Sequence, residues 1–208
     1  MKNLDRHLWR NNTLICGVDE VGRGAIAGPV VAAAVVLPLN SSLTGVQDSK
    51  KLSPKQRALL EPAIKKEALG WAIAAAGHHF IENYNIAFAT FWVMRLAVEK
   101  LVRALEENVK GKDILVLADG WQIPDLNLPC QGIIKGDSKS LSIACASIIA
   151  KVFRDKLMTK MEHRFPGYGF ARHKGYGTKE HISALKKLGP SPIHRKTFEP
   201  VKSLFIYL

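Results

Sequence analysis

The chain has 208 residues, 47% of them hydrophobic, so it can bury a substantial core and is too apolar for a disordered protein. Lysine and arginine outnumber aspartate and glutamate by 30 to 18, a formal net charge of +12. Such a surplus favours a polyanionic partner such as nucleic acid or an anionic membrane, although it can also serve solubility alone. The three cysteines are far apart and lack C-x-x-C spacing, which argues against a zinc site or a disulfide framework.

The first twelve residues carry Asp5, Arg6 and Arg10 where a signal peptide would need an apolar core. No apolar run approaches the length that a bilayer-spanning helix requires. We therefore expect a cytoplasmic protein that makes no contact with a membrane and acts as a monomer. Because no repeat or long linker divides the chain, we expect a single domain over 1–208, with a core over 1–165 and a basic helical part over 166–208.

The first half of the chain predicts three strands and two helices. Short runs rich in β-branched or small apolar residues predict strands over residues 13–20, 30–37 and 71–80. A glycine-rich segment between the first two suits a hairpin-like connection. A helix is predicted from Ser53, which can cap it, to Gly70, which ends it, because Pro54 suits the first turn and Gln56 completes a capping box. Apolar residues at mostly helical spacing predict a second helix over 85–105.

The second half of the chain predicts two short strands, a long helix and a basic C-terminal part. The strands are predicted over 113–120 and 131–137. Apolar residues repeat at helical spacing from Ser140 to about Arg164. A further helix is predicted after Thr178, within a basic segment that glycine and proline interrupt. The order of strands and helices indicates an α/β or α+β domain.

Acidic residues end three of the predicted strands: Asp19 and Glu20 the first, Asp119 the fourth and Asp137 the fifth. Such strand ends gather side chains from distant parts of a chain, and carboxylates that converge repel one another unless cations neutralise them. Oxygen ligands suit Mg²⁺ or Mn²⁺, and two such ions can activate a water and stabilise the leaving oxygen of a phosphodiester. Taken singly, each acid is better explained as a solvated turn residue or a helix cap. Spacing alone leaves Asp155 open as an alternative to Asp137.

Three further segments are candidates for contacting nucleic acid: Gly22, Arg23 and Gly24, whose backbone can approach a ligand closely; Lys50 and Lys51, beside a helix N-terminus; and Tyr176, between glycines and among basic residues. A tight turn, a solvated charge run and an ordinary glycine-rich loop explain these segments about as well. No dinucleotide-binding or P-loop spacing occurs, which argues against a nucleotide cofactor. His78 and His79 are predicted to lie on a strand surface, and the apolar end 203–208 is predicted to dock on the core.

Several motifs together resemble the bacterial ribonuclease HII family, the type 2 ribonucleases H. They are GVDEVGRGAIAGPVVAAAVVL, DSKKLS, ADG, KGDSKSLSIACASIIAKVFRD, YGFARHKGYGTKEH and HRKTF, in family order over nearly the whole chain. The resemblance implies an α/β ribonuclease H-like fold, with a central five-stranded mixed sheet flanked by helices and a small helical C-terminal extension. It also implies an endonuclease that cuts the RNA strand of RNA–DNA hybrids and nicks 5′ of ribonucleotides in duplex DNA, for ribonucleotide removal. The ends would be 3′-hydroxyl and 5′-phosphate.

The resemblance also implies roles for individual residues. The catalytic and metal-binding residues would be Asp19, Glu20, Asp119 and Asp137, holding two Mg²⁺ or Mn²⁺ ions. Gly22, Arg23 and Gly24 would read the ribose 2′-hydroxyl, and Tyr176 would stack on a sugar. Ala25 stands where proline is frequent in the family, and we expect none of the extra N-terminal domain that the related ribonuclease HIII carries.

Two other functions remain open. A non-catalytic nucleic-acid-binding protein could keep the same fold, although the presence of all four acids counts against it. A nuclease of the same fold could act on plain DNA, and it would cut an all-DNA duplex.

Overall fold

The structure is a computed structural model that describes residues 4–9, 13–47, 49–105 and 112–205. Its strands are β1 (Thr13–Val21), β2 (Val30–Val36), β3 (Gly70–Ala76), β4 (Asp113–Asp119) and β5 (Cys130–Ile133). Its helices are α1 (Leu4–Leu8), α2 (Pro54–Glu67), α3 (His78–Tyr84), α4 (Ile86–Leu105), α5 (Gly136–Lys139), α6 (Leu141–Arg164), α7 (Phe170–His173), α8 (Lys179–Leu188) and α9 (Val201–Phe205). None of these described helices has both the length and the apolar character needed to span a bilayer.

The strands form one mixed sheet in the order β3-β2-β1-β4-β5. β2 is antiparallel to both β1 and β3, whereas β4 is parallel to β1 and β5. Parallel pairing brings Val18 opposite Ala118, so Asp19 and Asp119, which follow them, lie side by side where the pairing of β1 with β4 ends. The predicted five-stranded mixed sheet flanked by helices is confirmed.

Apolar side chains fill the space on both faces of this sheet. On one face α4 packs against β1, β2 and β3, and on the other α6 packs against β1 and β2. All seven residues of β2 are buried, which matches its continuous apolar sequence. Gly17 is required in β1 because a Cβ there would lie 2.2 Å from the backbone nitrogen of Ile143 in α6. This close approach sets α6 against the strand that carries Asp19 and Glu20.

The helices predicted over 53–70, over 85–105, from Ser140 and after Thr178 are present as α2, α4, α6 and α8. The strand predicted over 71–80 is too long, and the placement of His78 and His79 on a strand is wrong. β3 ends at Ala76, its last partner on β2 being Val30, and Gly77 caps a helix that buries Ile81. Both histidines therefore begin α3.

The strand predicted over 131–137 is also too long. β5 ends at Ile133, and Lys135 adopts a left-handed conformation with φ of 55° that turns the chain into α5. Asp137 therefore lies in the first turn of a short helix and does not end a strand. At the C-terminus, Val201 and Leu204 pack against Ile26 and Leu185, as predicted for the apolar end, whose residues 206–208 lie outside the described ranges.

Candidate active site

Three of the predicted acids come together where β1 and β4 end. Asp19, Glu20 and Asp119 line one cleft of about 330 Å³. Its other lining residues are Val21, Ser49, Lys50, Ser147, Lys151 and Tyr176. The pairing of β1 with β4 explains this meeting, since it brings together residues that are a hundred positions apart in the sequence.

Burial and neighbouring carboxylates raise the pKa values of Asp19 and Glu20. Asp19 is only 6% exposed, and its burial, with the neighbouring charges of Glu20 and Asp119, raises its pKa well above the usual range. Burial and Asp119 likewise raise the pKa of Glu20, while Arg23 and Lys50 oppose that shift. Like charges held together out of water are costly unless a cation compensates them.

The donor atoms at this position suit a hard divalent cation. They are carboxylate oxygens, which Mg²⁺ and Mn²⁺ prefer, and their charge matches that of a cation. One oxygen of Asp119 accepts the Gly136 amide at 2.7 Å, which fixes this carboxylate against α5. Within the described ranges, no group of three or more His, Cys, Asp or Glu side chains is arranged so that it could hold a metal ion. The acids have the charge and the donor atoms that a divalent cation needs. Their positions in this structure do not form a complete set of metal ligands.

Asp137 lines a second cleft of about 650 Å³ together with Asp119. Asp119 and Lys50 line both clefts, which therefore adjoin at these two residues. The alternative acid, Asp155, lines neither. Its carboxylate lies 2.8 Å from Lys151 Nζ and 3.6 Å from an Arg57 guanidinium nitrogen, so it is already compensated by cations. Asp137 is therefore the better-placed fourth acid.

The predicted lysines lie along the same clefts. Lys50 and Lys51 are exposed just before α2, whose Ser53 cap and Gln56 form the predicted capping box. Lys50 lines both clefts and Lys51 the larger one. Both lysines therefore place positive charge at the rim of the acid cluster.

The loop that joins β1 to β2 lies beside Tyr176. Gly22 has φ of 91°, and a Cβ there would overlap the Arg154 side chain at 2.1 Å, so glycine is required. Gly24 is exposed and has open space around it. Ala25 forms an isolated β-bridge with Tyr176, and the Ile26 amide donates to the Gly175 carbonyl at 2.9 Å. The two candidate recognition segments thus form one surface next to the acids.

Two buried arginines, Arg154 and Arg195, hold this loop, and the sequence reasoning assigned them no role. The Arg195 guanidinium donates to the carbonyls of Gly22, Arg23 and Gly28 at 2.7 to 3.0 Å. Burial lowers the pKa of Arg195 to about 9. A sequence signal did exist for Arg154, because it lies four residues from both Ala150 and Met158 and therefore on the buried side of α6.

Arg154 supports the loop from the other side. Its guanidinium donates to the carbonyls of Pro29 at 2.9 Å, Lys174 at 2.8 Å and Ala27 at 3.2 Å. Its carbon Cζ also lies 5.3 Å from the centre of the Tyr176 ring. Arg154 therefore connects α6 to both recognition segments.

A buried histidine pair supports the backbone of Tyr176. His181 Nδ1 lies 2.9 Å from the Tyr176 carbonyl, which can only accept, so this nitrogen carries the proton. His181 Nε2 then accepts from His194 Nε2 at 3.0 Å, and His194 Nδ1 accepts from the amide and hydroxyl of Ser191. This relay requires both imidazoles to be neutral. Burial lowers the pKa of each to about 4.

We expect this histidine pair to make the fold less stable below pH 6.5. The folded pKa values of about 4 lie below the ordinary 6.5, so between those values the unfolded chain gains protons that the folded chain does not. The expected loss by pH 5 is on the order of 2 kcal/mol per histidine. Urea unfolding of the wild type and of His194→Gln at pH 7.5 and pH 5 measures it.

Asp19 and Glu20 have raised pKa values, so their protonation at low pH stabilises the fold and opposes the effect of the histidines. The quantity to compare is therefore the change in the free energy of unfolding between the two pH values, in the wild type and in His194→Gln. His194→Gln should lose less stability between pH 7.5 and pH 5 than the wild type does. His79→Gln is the control, because the His79 side chain is 79% exposed. The same pH dependence in all three proteins would contradict the assignment of this effect to the buried pair.

A mixed five-stranded sheet with converging acids at the ends of β1 and β4 defines a ribonuclease H-like protein. The ribonuclease H2 structure from Pyrococcus horikoshii OT3 is similar, with a TM-score of 0.69 and 25% identity over 93% of this chain and 98% of that one. The structure of Bst-RNase HIII in complex with Mn²⁺ shares the fold, with a TM-score of 0.72 and 19% identity over 99% of this chain and 73% of that one.

The sequence model of the Ribonuclease HII family matches residues 16–201, and the chain belongs to this family. Ribonuclease HII of Caldicellulosiruptor saccharolyticus is 51% identical over 88% of this chain and 86% of its own length. Ribonuclease HII of Lactobacillus helveticus is 51% identical over 97% of this chain and 77% of its own length. Family membership makes the chain an enzyme with ribonuclease H activity.

Proposed function

We propose that this chain is an endoribonuclease that hydrolyses the RNA strand of RNA–DNA hybrids and nicks 5′ of ribonucleotides embedded in duplex DNA. The products would carry 3′-hydroxyl and 5′-phosphate ends, and the enzyme would serve to remove ribonucleotides from DNA. The observation that carries this proposal is the position of residues 22–24 and Tyr176 directly beside the acid cleft.

The proposed metal-binding residues are Asp19, Glu20, Asp119 and Asp137. When bound, two Mg²⁺ or Mn²⁺ ions supply an activated water and stabilise the leaving oxygen. The raised pKa values of Asp19 and Glu20 support this role, because the cluster gains stability from added positive charge. Lys50 and Lys51 would bind substrate phosphates at the rim of the cleft.

Recognition of a single ribonucleotide requires contact with its 2′-hydroxyl, which distinguishes RNA from DNA. The backbone of Gly22, Arg23 and Gly24 suits this contact, because Gly24 leaves space for a sugar and Arg195 fixes the carbonyls of the two residues before it. Tyr176 would stack on an adjacent sugar, with its backbone held by the bridge to Ala25.

The direct test compares three labelled duplexes incubated with the protein and Mg²⁺ or Mn²⁺: one with a single ribonucleotide, one RNA–DNA hybrid and one all-DNA duplex. We expect cutting of the first two and none of the third. An intact strand in all three would favour a non-catalytic binding protein. Cutting of the all-DNA duplex would favour a nuclease of plain DNA.

Tyr176→Ala is expected to reduce nicking at a single ribonucleotide by roughly 10-fold or more while changing duplex binding less, since stacking positions one sugar and adds little total contact. Tyr176→Phe keeps the ring and should stay close to the wild type. Single-turnover nicking rates and metal-free binding constants measure the two effects. Equal losses of rate and of affinity would mean that Tyr176 has only a structural role.

A further inference from the structure

An exposed tryptophan lies directly beside the acid cluster, and the proposed function does not use it. Trp121 is 69% exposed, and its neighbour across the same cleft, Ile134, is 72% exposed. A large apolar side chain that stays in water does not contribute the free energy of burial to folding. Exposed apolar side chains that lie close together mark interaction sites more often than isolated ones do.

The backbone that carries Trp121 is held in place. Its amide donates to the Asp119 carbonyl at 3.0 Å, and the preceding Gly120 amide donates to the Ile133 carbonyl at 3.0 Å. Gly132 packs so closely that a Cβ there would lie 2.6 Å from the Trp121 carbonyl carbon. The Trp121 side chain is therefore attached to a fixed backbone next to Asp119, a proposed metal ligand.

Trp121 and Tyr176 line two adjoining parts of the cleft, which share Asp119 and Lys50. The smaller part contains Tyr176, Asp19 and Glu20, and the larger part contains Trp121. Asp119 and Lys50 line both parts and therefore lie between the two aromatic rings. A strand that runs from Tyr176 across Asp119 into the larger part would pass Trp121.

The chemistry around Trp121 matches a nucleic-acid strand. The lysines that line the larger part of the cleft are Lys50, Lys51 and Lys135. Cations that neutralise phosphates beside an aromatic ring that stacks on bases are the usual combination for binding single strands and splayed nucleotides without sequence preference.

We propose that Trp121, supported by Ile134, binds the DNA nucleotides immediately 5′ of the scissile phosphate. This assignment rests on the proposed function, in which the cut lies 5′ of the ribonucleotide and residues 22–24 with Tyr176 contact the ribonucleotide side. The larger part of the cleft then receives the deoxynucleotides on the other side of the cut.

The test is binding of a fluorescently labelled duplex with one ribonucleotide, measured by anisotropy without divalent metal. Trp121→Ala should weaken binding about 5- to 100-fold, the loss expected for one stacked base, whereas Trp121→Phe should retain most of the affinity. Leu59→Ala is the matched control, because Leu59 is 67% exposed on α2 and lines neither part of the cleft. It should bind like the wild type.

The position of the contact is tested with abasic duplexes. Removing the base immediately 5′ of the ribonucleotide should abolish the difference between the wild type and Trp121→Ala, and removing the base on its 3′ side should preserve it. An unchanged affinity in Trp121→Ala, or the same difference on both abasic duplexes, would overturn the inference. The proposed function is judged separately, by whether the wild type nicks the intact duplex when metal is added.

Discussion

Asp19→Asn is expected to abolish cleavage and, at neutral pH, to raise the melting temperature of the metal-free protein. Burial and the charges of Glu20 and Asp119 raise the pKa of Asp19, so its carboxylate destabilises the fold when ionised. Asparagine removes this charge, and its side-chain oxygen can still accept the Glu20 amide that Asp19 binds at 2.7 Å. Cleavage should fall roughly 1,000-fold or more, because the charge stabilisation that metals provide is lost with their ligand.

Thermal unfolding with and without Mg²⁺, combined with cleavage rates, measures both effects. Mg²⁺ should raise the melting temperature of the wild type, since a ligand of the native state stabilises it, and should do so much less in Asp19→Asn. Asp155→Asn is the matched control. It removes a carboxylate that pairs with Lys151 and Arg57, so it should lower the melting temperature and leave cleavage nearly intact. Wild-type cleavage by Asp19→Asn would remove Asp19 from the site.

Arg195→Lys is expected to impair nicking at a single ribonucleotide far more than cutting of long hybrids. A lysine ammonium cannot reproduce the planar fork that donates to three carbonyls, so at least one of those of Gly22, Arg23 and Gly28 loses its partner. The loop would then relax away from the acids. A displacement of the reacting groups by about 1 Å can reduce a rate roughly 100-fold. A long hybrid has neighbouring riboses that can take the place of a misplaced one, whereas a duplex with a single ribonucleotide has none.

The measured quantity is the ratio of the two cleavage rates, which we expect to fall roughly 10-fold or more in Arg195→Lys. Arg57→Lys is the control, because Arg57 is also buried and donates to the carbonyls of Ser49 and Leu52 in the loop that carries Lys50. That variant should weaken action on both substrates alike. The same ratio in Arg195→Lys as in the wild type would mean that Arg195 stabilises the fold without affecting selectivity.

The sheet and the meeting of the acids could be predicted from the sequence because both follow from local patterns. Asp19 and Asp119 each end a run of apolar residues, and parallel strands bring such ends together. The end of β5 could not be predicted in this way. The apolar residues continue through Ile134, and the turn depends on the left-handed backbone of Lys135, a residue with no sequence signature for that conformation.

The partners of the two buried arginines were also beyond prediction from the residues. Arg154 and Arg195 bind backbone carbonyls, and carbonyls are present at every position, so no complementary residue marks the partner. The neutral state of His181 and His194 depends on their mutual contact and their burial, which the fold alone creates. A role for Trp121 could not be predicted for a related reason. Only the structure shows that its side chain is exposed in the same cleft as Asp119.

The bonds from Arg195 to the loop have a consequence for how the enzyme is made. They join residues 167, 172 and 173 positions apart, among the longest separations that the chain allows. During synthesis, β1 and β4 can pair once residue 119 has emerged, whereas the loop gains its support only after Arg195 has emerged. We therefore expect the proposed discrimination between ribose and deoxyribose to be acquired later in synthesis than the pairing of the strands that carry the acids.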